Sequence, residues 1–353
     1  VIMLEAPIEV PDSSLLELHN PKIDELNSDQ LMELGFSIED SVKSSDKRVV
    51  SIPYLGVSRG RNESLLLSSK GVSYKQNSNE VAAWCGPLLQ DGDSRKSGLK
   101  ILNRREWDPK AGKRIGIEAV EKALELLNAS PIQSGTMPVV LDEYTAPGFL
   151  AMFFRAFSAE AAQRGLSRLK GKLGQKIAVS ELNLMDDPHL LGGKRSCFMD
   201  SEGFLTKQLP LIENGIFRNF LYHVESARKE NKASTGHASR GYTGGIGTSL
   251  HNLVCPIGEH SLDQLCALEK KCLLVTELEG QAGCDPVSGD ISIGVQGFLI
   301  ENGSRVQPVD SVTVAGNFFD VLNNICGYGN KYQPELTHLF IPALLIHQMT
   351  ISG

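Results

Sequence analysis

Aromatic residues are scarce in this chain, at 6% of 353 residues with two tryptophans, and none of its seven cysteines stands in a C-x-x-C pair. The scattered, odd set of Cys85, Cys197, Cys255, Cys266, Cys272, Cys284 and Cys326 argues against a disulfide framework or a zinc ribbon and for reduced thiols in a cytosol. Long hydrophobic runs are missing as well. The longest near the C-terminus, residues 339–346, contains Pro342 and falls far short of the roughly 20 residues that span a bilayer, so no membrane association is expected. No charged n-region and apolar h-region precede a cleavage site, and the chain reads without a secretory leader. Positive charge is not in excess either. Lys and Arg number 35 against 42 Asp and Glu, a net charge of −7, so a phosphate backbone is repelled overall and direct nucleic-acid binding is not expected.

What is present is an ordinary globular composition, 41% hydrophobic and 22% charged, over a length suited to two domains. Residues 1–30 read as an extended lead-in. Residues 31–130 read as an N-terminal α+β domain: β-favouring runs at 49–52, 64–67, 71–74 and 84–88 form a strand meander, which an amphipathic helix over 113–127 closes. Ile117, Val120, Ala123, Leu124 and Leu127 share one face of that helix. After a connector with Pro131 and Gly135, residues 136–353 read as a β-rich C-terminal domain opening on a buried strand at 138–141. A helix over 147–164, apolar on nearly all sides, is expected in its core, with short helices near 226–230, 262–268 and 318–325. Leu211-Ile212-Glu213-Asn214-Gly215 recurs as Leu299-Ile300-Glu301-Asn302-Gly303, and each Asn-Gly predicts a type I′ hairpin turn. The fold class is α+β with two domains, antiparallel strands dominating the second.

The search for chemistry is mostly exclusion. Gly165 to Lys172 resembles a phosphate loop, but its glycine spacing is wrong and Leu173 stands where a magnesium-binding hydroxyl belongs. Ser249 lies in no nucleophile elbow. Eight histidines include no H-E-x-x-H. Asp186, Asp187 and His189, with Asp200 and Glu202 nearby, could offer ligands to an incidental ion, the plainer reading being turn carboxylates before Pro188. His223, His237 and His251 read individually as structural or solvated groups, and Cys284 sits on a turn with no histidine near it in sequence. The basic residues between Arg155 and Lys176 lack interleaved aromatics after Phe157 and read as a solvated face.

Taken together and in order, several turns are specific. Gly165-Leu166-Ser167, Gly171-Lys172-Leu173-Gly174, Asp186-Asp187-Pro188, Asp200-Ser201-Glu202-Gly203 and both Ile-Glu-Asn-Gly turns, with Ala227-Arg228-Lys229, Ser234-Thr235-Gly236, Ser288-Gly289-Asp290 and Thr350-Ile351-Ser352-Gly353, resemble the TldD/PmbA family. Its members are described as peptide-maturation proteases and as modulators of DNA gyrase. The resemblance implies a cytoplasmic dimer around an internal chamber. It also implies, in the TldD branch, a zinc-binding H-E-x-x-x-H and a cysteine near the C-terminus. Here the motif falls on Ala151, Met152 and Ala156, with no His or Glu in residues 150–158, and no cysteine follows Cys326. That pattern resembles the PmbA branch, also called TldE.

The expectation is a PmbA/TldE-like subunit with no catalytic residue and no cofactor of its own. Zinc is expected in a TldD-like partner, and small or unfolded peptides are the substrate. Asp186, Asp187, His189, His237, Gly244 and Gly245 are the candidate peptide contacts or incidental ion site, the glycines lying in a loop at 241–247 that could act as a gate. Two alternatives stand beside it: a self-sufficient homodimeric peptidase with a metal or thiol site drawn from Asp186, Asp187, His189, His237 or Cys284, and a regulatory protein reaching DNA gyrase through protein contacts.

Overall fold

The computed structural model describes residues 9–241, 243–280 and 282–353. Its first part is organised by two strands of 19 residues each, Val49–Leu67 and Ser73–Asp91, paired antiparallel along nearly their full length. The second strand buries Val81, Ala83 and Cys85 on alternate positions, the period of a sheet with one covered face. The short runs expected at 49–52, 64–67 and 71–74 are thus stretches of one ribbon. The polar residues between them stay paired, Arg61 with Asn79 and Glu63 with Asn77, because a backbone ladder needs no burial to persist.

Two helices cover the apolar face. Ala111–Glu125 lies where the amphipathic pattern predicts a helix. Ser28–Ser45 was not expected; it starts from a reciprocal capping box between Asn27 and Gln30 and buries Leu34, Ile38 and Val42 one turn apart. The helices meet through small residues. A Cβ added at Gly116 would lie 2.0 Å from Ser41 Oγ, and one at Gly112 would lie 2.7 Å from Ser37 Oγ.

The lead-in carries more regular structure than its composition suggests. Asp12 caps a 3-10 turn at Ser13–Leu16, and Asn20 caps a helical turn at Pro21–Asp24 with proline in the first turn. Leu16, Leu18, Ile23 and Leu26 are buried, and Ile23 and Leu26 pack with Val81 of the ribbon. Residues 1–8 lie outside the described residues.

The second part is a closed sheet. Gly135–Leu141 runs parallel to Lys271–Glu279, which continues antiparallel through Asp290–Glu301 and Ser304–Asn317 to Leu344–Ser352. That last strand returns to pair with Gly135–Leu141. The barrel buries Val139, Leu273, Ile293, Val314 and Ile346 in one continuous core. A second sheet orders the short strands Leu339–Phe340, Leu253–Val254, Leu184–Asp186, Leu209–Glu213 and Ile216–Phe217. Both Asn-Gly turns have the expected positive φ, 51° and 73° at Asn214 and Gly215, and 50° and 77° at Asn302 and Gly303.

The helix expected over 147–164 is interrupted. Thr145–Ala151 is α-helical, Phe154–Phe157 is a 3-10 turn, and Ala159–Gln163 is a new helix. Ser158 adopts an extended conformation, and its Oγ accepts the Ala161 N–H, so it ends one element and caps the next. Leu221 holds the break by donating to Phe157 O and accepting from Ala159 N. The segment is a core element, as its composition predicts: Phe149, Phe153, Ala156 and Phe157 are fully buried.

Candidate functional site

Asp186 ends the central strand Leu184–Asp186 of the second sheet and is wholly buried. Its Oδ1 accepts the backbone N–H of His251 at 2.8 Å. Its Oδ2 faces two imidazoles, His251 Nδ1 at 2.7 Å and His237 Nε2 at 2.9 Å. Strand pairing sets this geometry: Asp186 lies opposite Leu253, which places His251 two residues before the point of pairing, while His237 directly precedes the strand Ala238–Arg240. The other nitrogen of His237, Nδ1, lies 2.9 Å from both Thr235 O and Thr235 Oγ1.

The electrostatics are those of a closed ion cluster. Burial pushes the Asp186 carboxyl up, but the hydrogen bonds and charge of the two histidines outweigh it and hold the group below the usual carboxylate range. For His251, burial disfavours the cation, yet Asp186 and Cys197 prevail and raise it to about 10. No side chain here is placed to attack a substrate, because neither Asp186 nor His237 has any exposed surface. The arrangement can hold charge; it cannot admit a peptide.

Of the residues expected at a site, only Asp186 and His237 come together. Asp187 is a turn carboxylate: Oδ1 accepts His189 N–H at 2.9 Å and Oδ2 accepts Gln208 Nε2 at 2.8 Å. His189 points away to Thr206 Oγ1 at 3.0 Å and packs its ring beside Phe198. Gly244 and Gly245 are exposed in the hairpin joining Ala238–Arg240 to Ile246–Thr248, with nothing within 4 Å of an added Cβ. Tyr242 of that loop lies outside the described residues. Cys284 packs against the barrel core, and Asp200 is spent on the backbone N–H groups of Glu202, Phe204 and Ala238. Ala151 and Met152 are half-buried, and Ala156 is fully buried. None of the three offers a nitrogen, thiolate or carboxylate, so the family's zinc does not fit there.

His251 completes the cluster and was read from sequence as an isolated structural histidine. It stands 65 residues from Asp186, and no local spacing announces the contact. A second polar group was also missed: His223 is buried with both ring nitrogens unpartnered, Glu202 Oε1 is buried without a partner, and Glu160 Oε2 lies 3.8 Å from His223 Nε2.

A helix-covered strand ribbon leading into a closed β-domain, with left-handed Asn-Gly turns at 214–215 and 302–303, fits a two-domain protein of the TldD/PmbA class. The chain belongs to that family: residues 21–127 match the profile of the PmbA/TldA metallopeptidase central domain, and residues 134–353 match that of the C-terminal domain. It is 28% identical to the metalloprotease PmbA of Escherichia coli O157:H7 over 98% of this chain and 75% of that protein. The PmbA homolog of Haemophilus influenzae is likewise 28% identical, over 97% and 73%. A Thermotoga maritima crystal structure described as a modulator of a DNA gyrase superposes with a TM-score of 0.90 at 27% identity, covering 100% of this chain and 80% of that one. TldE from Thermococcus kodakarensis shares the fold, with a TM-score of 0.85 at 24% identity. Among the described residues no helix is long and apolar enough to cross a membrane.

Proposed function

We propose that this chain is the non-hydrolytic, PmbA/TldE-type subunit of a cytoplasmic peptidase pair, acting with a TldD-like paralogue on small or unfolded peptides. The observation that carries this reading is the segment 145–163. Its positions corresponding to the zinc motif hold Ala151, Met152 and Ala156, and its bulk is committed to aromatic packing, with Phe153 and Phe157 fully buried. The partner's zinc, when bound, supplies a Lewis acid and an activated water.

This chain's part is to form a wall and to present backbone to an extended substrate. The strand Ile246–Thr248 pairs only with Ala238–Arg240 among the described residues, which leaves its outer edge open to an added peptide strand. Exposed Gly244 and Gly245 let the adjoining turn approach a peptide closely. The hairpin is anchored at its base, where Thr248 Oγ1 lies 3.1 Å from Ser158 Oγ.

The test is co-expression with a TldD-like paralogue, followed by co-purification and hydrolysis of an unstructured peptide. Hydrolysis by the mixture and not by this chain alone is expected, with loss of activity when the paralogue's zinc is removed. Hydrolysis by the purified chain alone at the rate of the mixture would overturn the assignment.

A further inference from the structure

We propose that Asp186 Oδ2, His237 Nε2 and His251 form a buried binding site for a single transition-metal ion, zinc above all, which clamps the second sheet and takes no part in hydrolysis. This site is separate from the segment at Ala151, Met152 and Ala156 and does not depend on the subunit reading.

His237 is held from the side facing away from Asp186. Its Nδ1 faces Thr235 O, which can only accept, and Thr235 Oγ1. That hydroxyl also accepts Tyr222 N–H at 2.9 Å and lies 3.1 Å from Tyr222 O. In the tautomer whose Nδ1 hydrogen goes to Thr235 O, Nε2 offers its lone pair toward the carboxylate. It points at Asp186 Oδ2 from 2.9 Å in a site with no solvent exposure. In that tautomer Nε2 and Oδ2 are both lone-pair groups facing one another, the arrangement a metal ion bridges.

The surroundings match a metal shell. The ligand atoms of Asp186, His237 and His251 lie within 4.8 Å of one another. Donation from the far nitrogen of a ligating histidine to a backbone carbonyl is the usual second-sphere contact that fixes tautomer and ring orientation, and Thr235 O receives it here. The second carboxylate oxygen is held by His251 N–H, which leaves Oδ2 free for the ion. Two imidazoles and one carboxylate suit zinc, cobalt or nickel; magnesium and calcium prefer all-oxygen sets. Metal–ligand bonds of about 2.0–2.1 Å in a tetrahedron separate ligand atoms by roughly 3.3 Å, so loading parts these groups by about half an ångström.

Such an ion would join three stretches of chain: the end of Leu184–Asp186, the root of the hairpin at His237, and the approach to Leu253–Val254 at His251. It would set the base from which Gly244 and Gly245 project.

The test uses the full chain purified without chelators. Metal content is measured by mass spectrometry, and cobalt is then titrated into chelator-stripped protein while visible absorption and thermal unfolding are followed. About one zinc per chain is expected, with a tetrahedral cobalt spectrum and a raised melting temperature. His237→Gln and His251→Gln should each weaken binding at least about 100-fold. His189→Gln and Cys326→Ser should leave it unchanged, the latter because Glu269, Cys326 and His347 form a separate, largely exposed group. A folded wild-type chain that takes up neither zinc nor cobalt would overturn the proposal. Zinc retained by both histidine variants, or lost in Cys326→Ser, would overturn it equally by locating the ion elsewhere.

Discussion

Phe153 stacks on Phe318 with ring centroids 4.5 Å apart and planes 15° from parallel. The contact joins the segment 145–163 to the short helix Phe318–Asn324 of the barrel domain, so that segment serves the core. Phe153→Ala removes a fully buried ring and should cost about 3–5 kcal/mol of stability. Urea unfolding of the variant against wild type measures it; a change below 1 kcal/mol would show that the segment is loosely packed.

Placing at 151, 152 and 156 the His, Glu and His that the TldD resemblance implies should not create a zinc site there. Ala156 is fully buried beside Phe153 and Phe157, so the triple change Ala151→His, Met152→Glu, Ala156→His forces an imidazole into an apolar core. Lower expression or a depressed melting temperature is expected, without a gain of metal at that segment, as read by metal content with His237→Gln in the background.

The two Ile-Glu-Asn-Gly turns share a sequence and a backbone conformation but differ in surroundings. A Cβ at Gly215 would lie 2.5 Å from both Ala178 O and Val179 O, whereas one at Gly303 would meet only Ala267 Cβ, at 3.1 Å. Both glycines have positive φ, so alanine is strained at either. Gly303→Ala should cost about 1 kcal/mol, and Gly215→Ala clearly more, by about 2 kcal/mol or above. Paired melting curves settle the order.

Gly116→Ala should separate the helices Ser28–Ser45 and Ala111–Glu125, because its Cβ would collide with Ser41 Oγ at 2.0 Å and with Ile38 O at 2.8 Å. A loss of about 1–3 kcal/mol is expected. Adding Ser41→Gly removes the first collision and leaves the second, so the double variant should recover part of the loss. No recovery would mean that the backbone clash dominates.

Acid should relieve one strained carboxyl. Burial raises Asp142 to about 6, against the opposing hydrogen bonds from Thr145 and Tyr144, and neighbouring Glu143 adds to the rise. Between about pH 4 and pH 6 the folded chain then holds a proton that the unfolded chain releases, so this group's contribution to stability falls as pH rises through that window. The cost above pH 6 is at most about 3 kcal/mol. Asp142→Asn keeps the Oδ1 acceptor for Thr145 N–H, at 2.8 Å in the wild type, and abolishes the titration. The variant should be more stable than wild type at pH 7 and lose that advantage near pH 4, measured by urea unfolding at both.

Where the sequence is legible and where it is not follows from the range of the interactions. The helix Ala111–Glu125 and the two Asn-Gly hairpins are encoded within a few residues, and a reading of spacing and turn chemistry finds them. Ser28–Ser45 carries comparable signals, the Asn27 and Gln30 box and the repeat Leu34, Ile38, Val42, yet it straddles the boundary read at residue 30 and its polar surroundings hide it. The interruption at Ser158 depends on Leu221, and the cluster at Asp186 depends on residues 51 and 65 positions away. Those contacts exist only after the sheets have formed, so no local pattern could mark His251 apart from the other histidines.

The closure of the barrel also bears on how the chain is made. Gly135–Leu141 has Lys271–Glu279 on one side and Leu344–Ser352 on the other, so the first strand of its domain to leave the ribosome is paired on both flanks only by strands far downstream. Until then Val139, Val140 and Leu141, all buried in the finished fold, have no lasting cover. Closure must wait for Leu344–Ser352 to be synthesised, and a product stalled before residue 344 would lack the strand that joins the two ends of the barrel.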